Sequence, residues 1–81
     1  MNIEQVIALA EAYHEHTGLK FSSISSYATN DGKWLRNLRS GVAGCTVRRA
    51  AAVGIWFSTN WPADLAWPAD IPRPPKSKEA A

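Results

Sequence analysis

From Ile3 to Tyr13 the apolar residues Ile3, Val6, Ile7, Leu9, Ala10 and Tyr13 recur at spacings of three and four, the signature of a helix with one buried stripe. The pattern predicts a helix over residues 3–16. Asn2 is the N-cap, and Thr17-Gly18 is the exit, where glycine supplies the left-handed turn. A second helix is expected over residues 21–29, with Phe21, Ile24, Tyr27 and Ala28 inward. Asn30, Asp31 and Gly32 break the chain. A third short helix is expected from about Lys33 to Ser40, burying Trp34, Leu35 and Leu38. Gly41 and Gly44 mark a loop. Thr46 then caps a fourth helix running to about Thr59, with Val47, Ala50, Val53, Ile55 or Gly54, and Phe57 inward.

Pro62 stops that helix. Beyond it, Trp61-Pro62-Ala63-Asp64 recurs as Trp67-Pro68-Ala69-Asp70, a repeat too short for a solenoid. Its tryptophans either fold back to enlarge a small core or build a dimer interface. Pro72 to Ala81 reads as a disordered tail, and Pro72-Arg73-Pro74-Pro75 is a short polyproline-like stretch. No segment alternates with the period of a strand. The expected fold is all-α: a four-helix domain over residues 1–61, followed by a Trp/Pro-rich arm and tail over residues 62–81.

Composition narrows the function. With 81 residues the chain suits one small domain and excludes a Rossmann unit or a TIM barrel. Its single cysteine, Cys45, excludes an internal disulfide and fits a reduced setting. No apolar stretch approaches the ~20 residues of a membrane span. Glu4 and Glu11 interrupt the N-terminal apolar run, unlike a signal peptide. A cytoplasmic protein with no membrane partner is expected. His14 and His16, two apart on a helix, point in different directions and have no cysteine or carboxylate cluster beside them, so no metal site is expected. Cys45 reads as a small structural thiol. With no glycine-rich phosphate loop and no nucleophile–base pair, the chain is read as not an enzyme, with no cofactor and no small-molecule ligand.

Charge is unevenly placed. Glu4, Glu11 and Glu15 give residues 1–19 a charge of −3. Lys20, Lys33, Arg36, Arg39, Arg48 and Arg49 against Asp31 give residues 20–49 a charge of +5. A basic middle third suits a polyanion.

Within that third, two helices meet at a tight glycine turn, the helix-turn-helix plan. Gly18 reverses the chain, Leu19 fills the angle, and Ile24 locks the second helix onto the first. The opposite face is then small and polar. Ser22, Ser23, Ser25, Ser26, Thr29 and Asn30 are the candidate base-facing residues in a major groove. Lys20, Lys33, Arg36, Arg39, Arg48 and Arg49 are the candidate phosphate contacts. Trp34 is read as core in preference to stacking on a sugar or base.

On these residues the chain resembles small phage and bacterial helix-turn-helix regulators of the Cro and phage-repressor kind. The resemblance covers about Ala8 to Pro62. It rests on Thr17-Gly18-Leu19 with Ser22 to Tyr27, on Leu38-Arg39-Ser40-Gly41 with Cys45-Thr46-Val47-Arg48-Arg49, and on Trp56-Phe57-Ser58 with Asn60-Trp61-Pro62. His14 replaces the usual small residue four before the glycine, and Lys20 the usual capping Ser or Thr. The resemblance implies a sequence-specific DNA-binding transcriptional regulator, expected to be a repressor. It would act as a homodimer, with helix 21–29 in the major groove and half-sites ~34 Å apart. The alternative is a small phage-type protein-interaction or inhibitor module that uses the same helices and the Trp-Pro arm.

Overall fold

In the computed structural model, which describes residues 1–75, the Asn2 side chain accepts the Gln5 amide at 2.8 Å. The Gln5 side chain accepts the Asn2 amide at 3.0 Å in return. This reciprocal cap satisfies amides that have no partner inside the helix, and it opens α1 (Ile3–Thr17). Gly18 ends the helix at φ 76°, its amide closing on the His14 carbonyl at 2.9 Å. Helix α2 (Phe21–Thr29) follows, and Asn30 ends it at φ 63°, a left-handed conformation that asparagine tolerates. Then come α3 (Trp34–Ser40), with Lys33 at its N-cap, and α4 (Val47–Asn60). Thr46 accepts the Arg49 amide at 3.1 Å to start α4. The fold is all-α, with four helices and no strand among the described residues.

Helix α2 is central: it packs against α1, α3 and α4, whereas α3 packs chiefly against α1 and α2. The core joins Val6, Leu9, Ala10 and Tyr13 to Ile24, to Leu35 and Leu38, and to Val53 and Phe57. Trp34 is buried with them and is a core residue. Tyr13 lies at the aromatic centre, 5.8 Å from Phe57 and 5.5 Å from Trp56 between ring centroids. Tilted and edge-on rings of this kind add about 0.5–1.5 kcal/mol per pair beyond the area they bury.

The tryptophan repeat is a repeat of structure. The Trp61 indole N–H donates to the Leu65 carbonyl at 2.8 Å, and the Trp67 indole N–H to the Ile71 carbonyl at 2.7 Å. Inside each loop a turn closes from the residue-65 and residue-71 amides to the Pro62 and Pro68 carbonyls, both at 3.2 Å. Proline fixes φ at the start of each turn. Each indole finds its partner four residues ahead, so the ring can be buried without stranding its N–H. Trp61 and Ile71 are buried, and the Trp67 ring lies 4.9 Å from Trp61. Of the two roles open to these tryptophans, the fold shows the first: they fold back onto the helices.

Residues 72–75 correct part of the expected tail. Arg73 donates to the Ser58 carbonyl at 2.9 Å and lies over the Trp67 ring, while the Ser58 hydroxyl donates to the Pro74 carbonyl. The expectation of disorder over residues 76–81 lies outside the described residues. Three apolar residues expected inward are exposed: Ile3, Tyr27 and Val47. Val47, in the first turn of α4, is 88% exposed, and burial along that helix begins at Ala50.

Candidate nucleic-acid interface

The outer face of α2 is set by which arc its three neighbours cover. At about 100° per residue, Phe21, Ile24, Ser25 and Ala28 share one arc, and all four are buried or half-buried. The opposite arc holds Ser22, Ser23, Ser26, Tyr27 and Asn30. Of these, Ser22, Ser26, Tyr27 and Asn30 are exposed and Ser23 is half-buried.

This corrects two of the expected base-facing residues. Ser25 is fully buried. Its hydroxyl donates to the Asp31 carbonyl and accepts the Leu35 amide at 3.0 Å. Thr29 is half-buried; its hydroxyl donates to the Ser25 carbonyl at 2.8 Å and accepts the Asp31 amide at 3.2 Å. Both fasten the α2–α3 connection. The Asp31 carboxylate assists by accepting the Lys33 amide at 3.0 Å.

All six expected phosphate contacts are exposed, and they fall into two clefts at opposite ends of α2. One cleft, of about 420 Å³, brings Lys20, Lys33, Arg36 and Arg39 together with Ser22 between α2 and α3. The other, of about 620 Å³, brings Arg48 and Arg49 together with Ser26 and Asn30 between α2 and α4. No acidic residue is among the described residues lining either cleft. Two guanidinium groups rest on rings: Arg39 is 5.2 Å from the Phe21 centroid and Arg49 is 5.4 Å from that of Trp34. Such stacking holds the planar fork in place while leaving its N–H donors free at the rim. Arg39 also has a carboxylate neighbour, Glu11, at 3.9 Å.

Sequence reasoning missed Tyr27, which is 62% exposed and lines the larger cleft together with Ser26 and Arg48. The signal was present in the spacing: Phe21, Ile24 and Ala28 already complete an inward stripe, and Tyr27 lies off it.

The remaining candidates lie elsewhere. The His14 ring meets the Leu19 carbonyl and the edge of Phe21, and His16 approaches Asp64 at 3.1 Å. No group of three His, Cys, Asp or Glu residues suited to a metal occurs among the described residues. Cys45 is half-buried beside the start of α4. Burial pushes its thiol pKa up, partly offset by the positive charges of Arg49 and the amino terminus. No helix among the described residues is long and apolar enough to cross a membrane.

Compared with known protein families, with curated proteins and with solved structures, the chain gives no significant match.

Proposed function

We propose that the protein binds double-stranded DNA as a sequence-specific transcriptional regulator of the repressor kind, acting in the cytoplasm as a homodimer. The observation that carries this reading is the placement of six exposed cations in two clefts, neither lined by an acidic residue, at either end of one helix whose outer arc is small and polar apart from Tyr27. Phosphates border a major groove on both sides, so cations at both ends of α2 suit a helix lying in it. Nine residues make α2 about 13 Å long. Ser22, Ser26 and Asn30 supply hydroxyl and amide groups to base edges, and Ser23, on the same arc, is half-buried. The long dimension of the molecule is 33 Å, which lets two copies side by side address half-sites one helical turn apart.

A second register is favoured by one observation. Helix α3 is joined to α2 by another short left-handed turn at Asn30, packs against fewer neighbours, and presents Arg36 outward with Lys33 at its start. Arginine forms bidentate contacts with guanine, which serine does not. The protein-interaction alternative rests on the sparse base-reading face and on the Trp-Pro arm; the second support weakens, because both indoles pack toward the core, Trp61 buried and Trp67 half-buried.

Mobility shift on duplex DNA at several salt concentrations tests the reading. Salt-dependent binding is expected, with Arg39→Ala weakening it to a similar degree on all sequences. Ser26→Ala changes the preference among sequences if α2 reads the groove; Arg36→Gln changes it if α3 does. No salt-dependent binding to any duplex excludes the function.

A further inference from the structure

The larger cleft combines features that point to one nucleotide of the duplex backbone. Arg48 and Arg49 stand on its α4 wall, and Tyr27 stands opposite on α2. The Tyr27 ring is 62% exposed, whereas Tyr13, Trp34, Phe57 and Trp61 are buried and Phe21, Trp56 and Trp67 half-buried. Ser26, Thr29, Asn30 and Thr46 complete the polar lining, and Ala52 and Val53 form an apolar part of it. A surface with two guanidinium groups, one phenol and an apolar strip matches an anion attached to a partly apolar ring.

Resting on the DNA-binding reading above, we infer that the α2–α4 cleft seats one sugar-phosphate of the duplex, with Tyr27 as a backbone contact. Arg48 and Arg49 hold the phosphate, the Tyr27 ring packs against the deoxyribose, and the phenol O–H donates to a phosphate oxygen. The position of Tyr27 fits this role better than base reading. It lies at the edge of the outer arc of α2, turned toward α4, while Ser26 and Asn30 occupy the middle. Phosphates line the margins of a groove and base edges its floor. Tyr27, Arg48 and Arg49 therefore set affinity and register and carry no sequence preference of their own, which is left to Ser26 and Asn30 beside them.

The test measures dissociation constants of the full chain on three unrelated duplexes at several salt concentrations. Tyr27→Phe, which removes only the hydroxyl, should weaken binding about tenfold on every duplex, as expected for a hydrogen bond to a charged group. Arg48→Gln should weaken it and lower the salt slope by about one. A scan of neutral methylphosphonates through the duplex should find one position in each half-site where the wild type loses affinity and Tyr27→Phe loses little more. Circular dichroism checks the fold of each variant, and the exposure of Tyr27 makes an unchanged spectrum the expected result. Wild-type affinity in both Tyr27→Phe and Tyr27→Ala overturns the inference and leaves the DNA-binding reading standing. So does a change of preference among the three duplexes, which would make Tyr27 a base reader. Failure of the wild type to bind any duplex overturns both.

Discussion

The Ser25 hydroxyl accepts the Leu35 amide at 3.0 Å while donating to the Asp31 carbonyl, so one small side chain ties α2 to both the turn and the first residues of α3. The Leu35 amide lies in the first turn of α3, where no carbonyl of its own helix is available. With Ser25 fully buried, water cannot replace its hydroxyl. Ser25→Ala should therefore cost about 1–3 kcal/mol in urea unfolding, the range for a buried group left without its partner. Ser22→Ala, on the exposed arc of the same helix, should change stability by less than about 0.5 kcal/mol. Equal effects of the two would show that the buried bond has no energetic role.

This pair also marks where the sequence is legible. The bounds of α2 follow from Gly18 and Asn30, two residues able to take left-handed backbone, and the expected span of residues 21–29 matches the observed helix. The other helices match to within a residue or so at either end, because Asn2, Gly18 and Thr46 announce their ends chemically. Which arc of α2 faces inward was less legible. Hydropathy favours burying Tyr27 over Ser25, whereas the structure does the reverse, since a buried hydroxyl with two backbone partners is satisfied. The partners come from residues 31 and 35 and are visible only once α3 has been placed. The clefts were illegible for a related reason: Arg48 lies far from Ser26 in sequence and meets it only through α2–α4 packing.

Gly18 turns the chain between α1 and α2 at φ 76°, and nothing lies within 4 Å of where a β-carbon would stand. Steric clash with the rest of the fold is therefore not an issue in Gly18→Ala, and backbone strain alone remains, about 1–2 kcal/mol for an L-residue in this conformation. The melting temperature should fall by about 4–8 °C per kcal/mol for a domain of this size. The effect is read by thermal unfolding, and an unchanged melting temperature would contradict a left-handed Gly18.

The two indole-closed turns predict unequal costs for the same change. Trp67→Phe keeps a ring but leaves the Ile71 carbonyl without its donor, at about 1–3 kcal/mol. Trp61→Phe removes the equivalent bond to Leu65 at a more deeply buried position and also loosens contact with Tyr13, so it should cost more. Denaturant titration of both variants checks the order, which fails if Trp67→Phe proves the more damaging.

Burial holds the Cys45 thiol pKa above its ordinary value. The folded chain therefore keeps that proton to higher pH than the unfolded chain does. The contribution to stability is complete below the unfolded thiol pKa and is lost as pH rises through the folded one. Alkylation by iodoacetamide, which reacts with the thiolate, should show a rate–pH midpoint above that of the urea-unfolded chain. Arg49→Ala should raise the folded midpoint further, because the Arg49 charge lowers it in the wild type. A folded midpoint at or below the unfolded one would contradict the burial effect.

Arg39 stands between two calls on its charge. Its guanidinium lies over Phe21 at the edge of the cleft it shares with Lys20, Lys33 and Arg36, yet Glu11 of α1 approaches it at 3.9 Å. Both side chains of this pair are half exposed or more, so the pair adds little to folding. Its effect on a bound polyanion is larger in kind, because Glu11 repels phosphate and competes for the same guanidinium. Glu11→Gln should leave urea unfolding within about 0.5 kcal/mol of wild type. It should also tighten duplex DNA binding on every sequence, most clearly at low salt, where charges are least screened. The gain should vanish in the Arg39→Ala background if it acts through Arg39, and persist there if Glu11 acts only through the general field. Weaker binding by Glu11→Gln would mean that the carboxylate positions Arg39 for its phosphate, with the pairing serving the interface instead of opposing it.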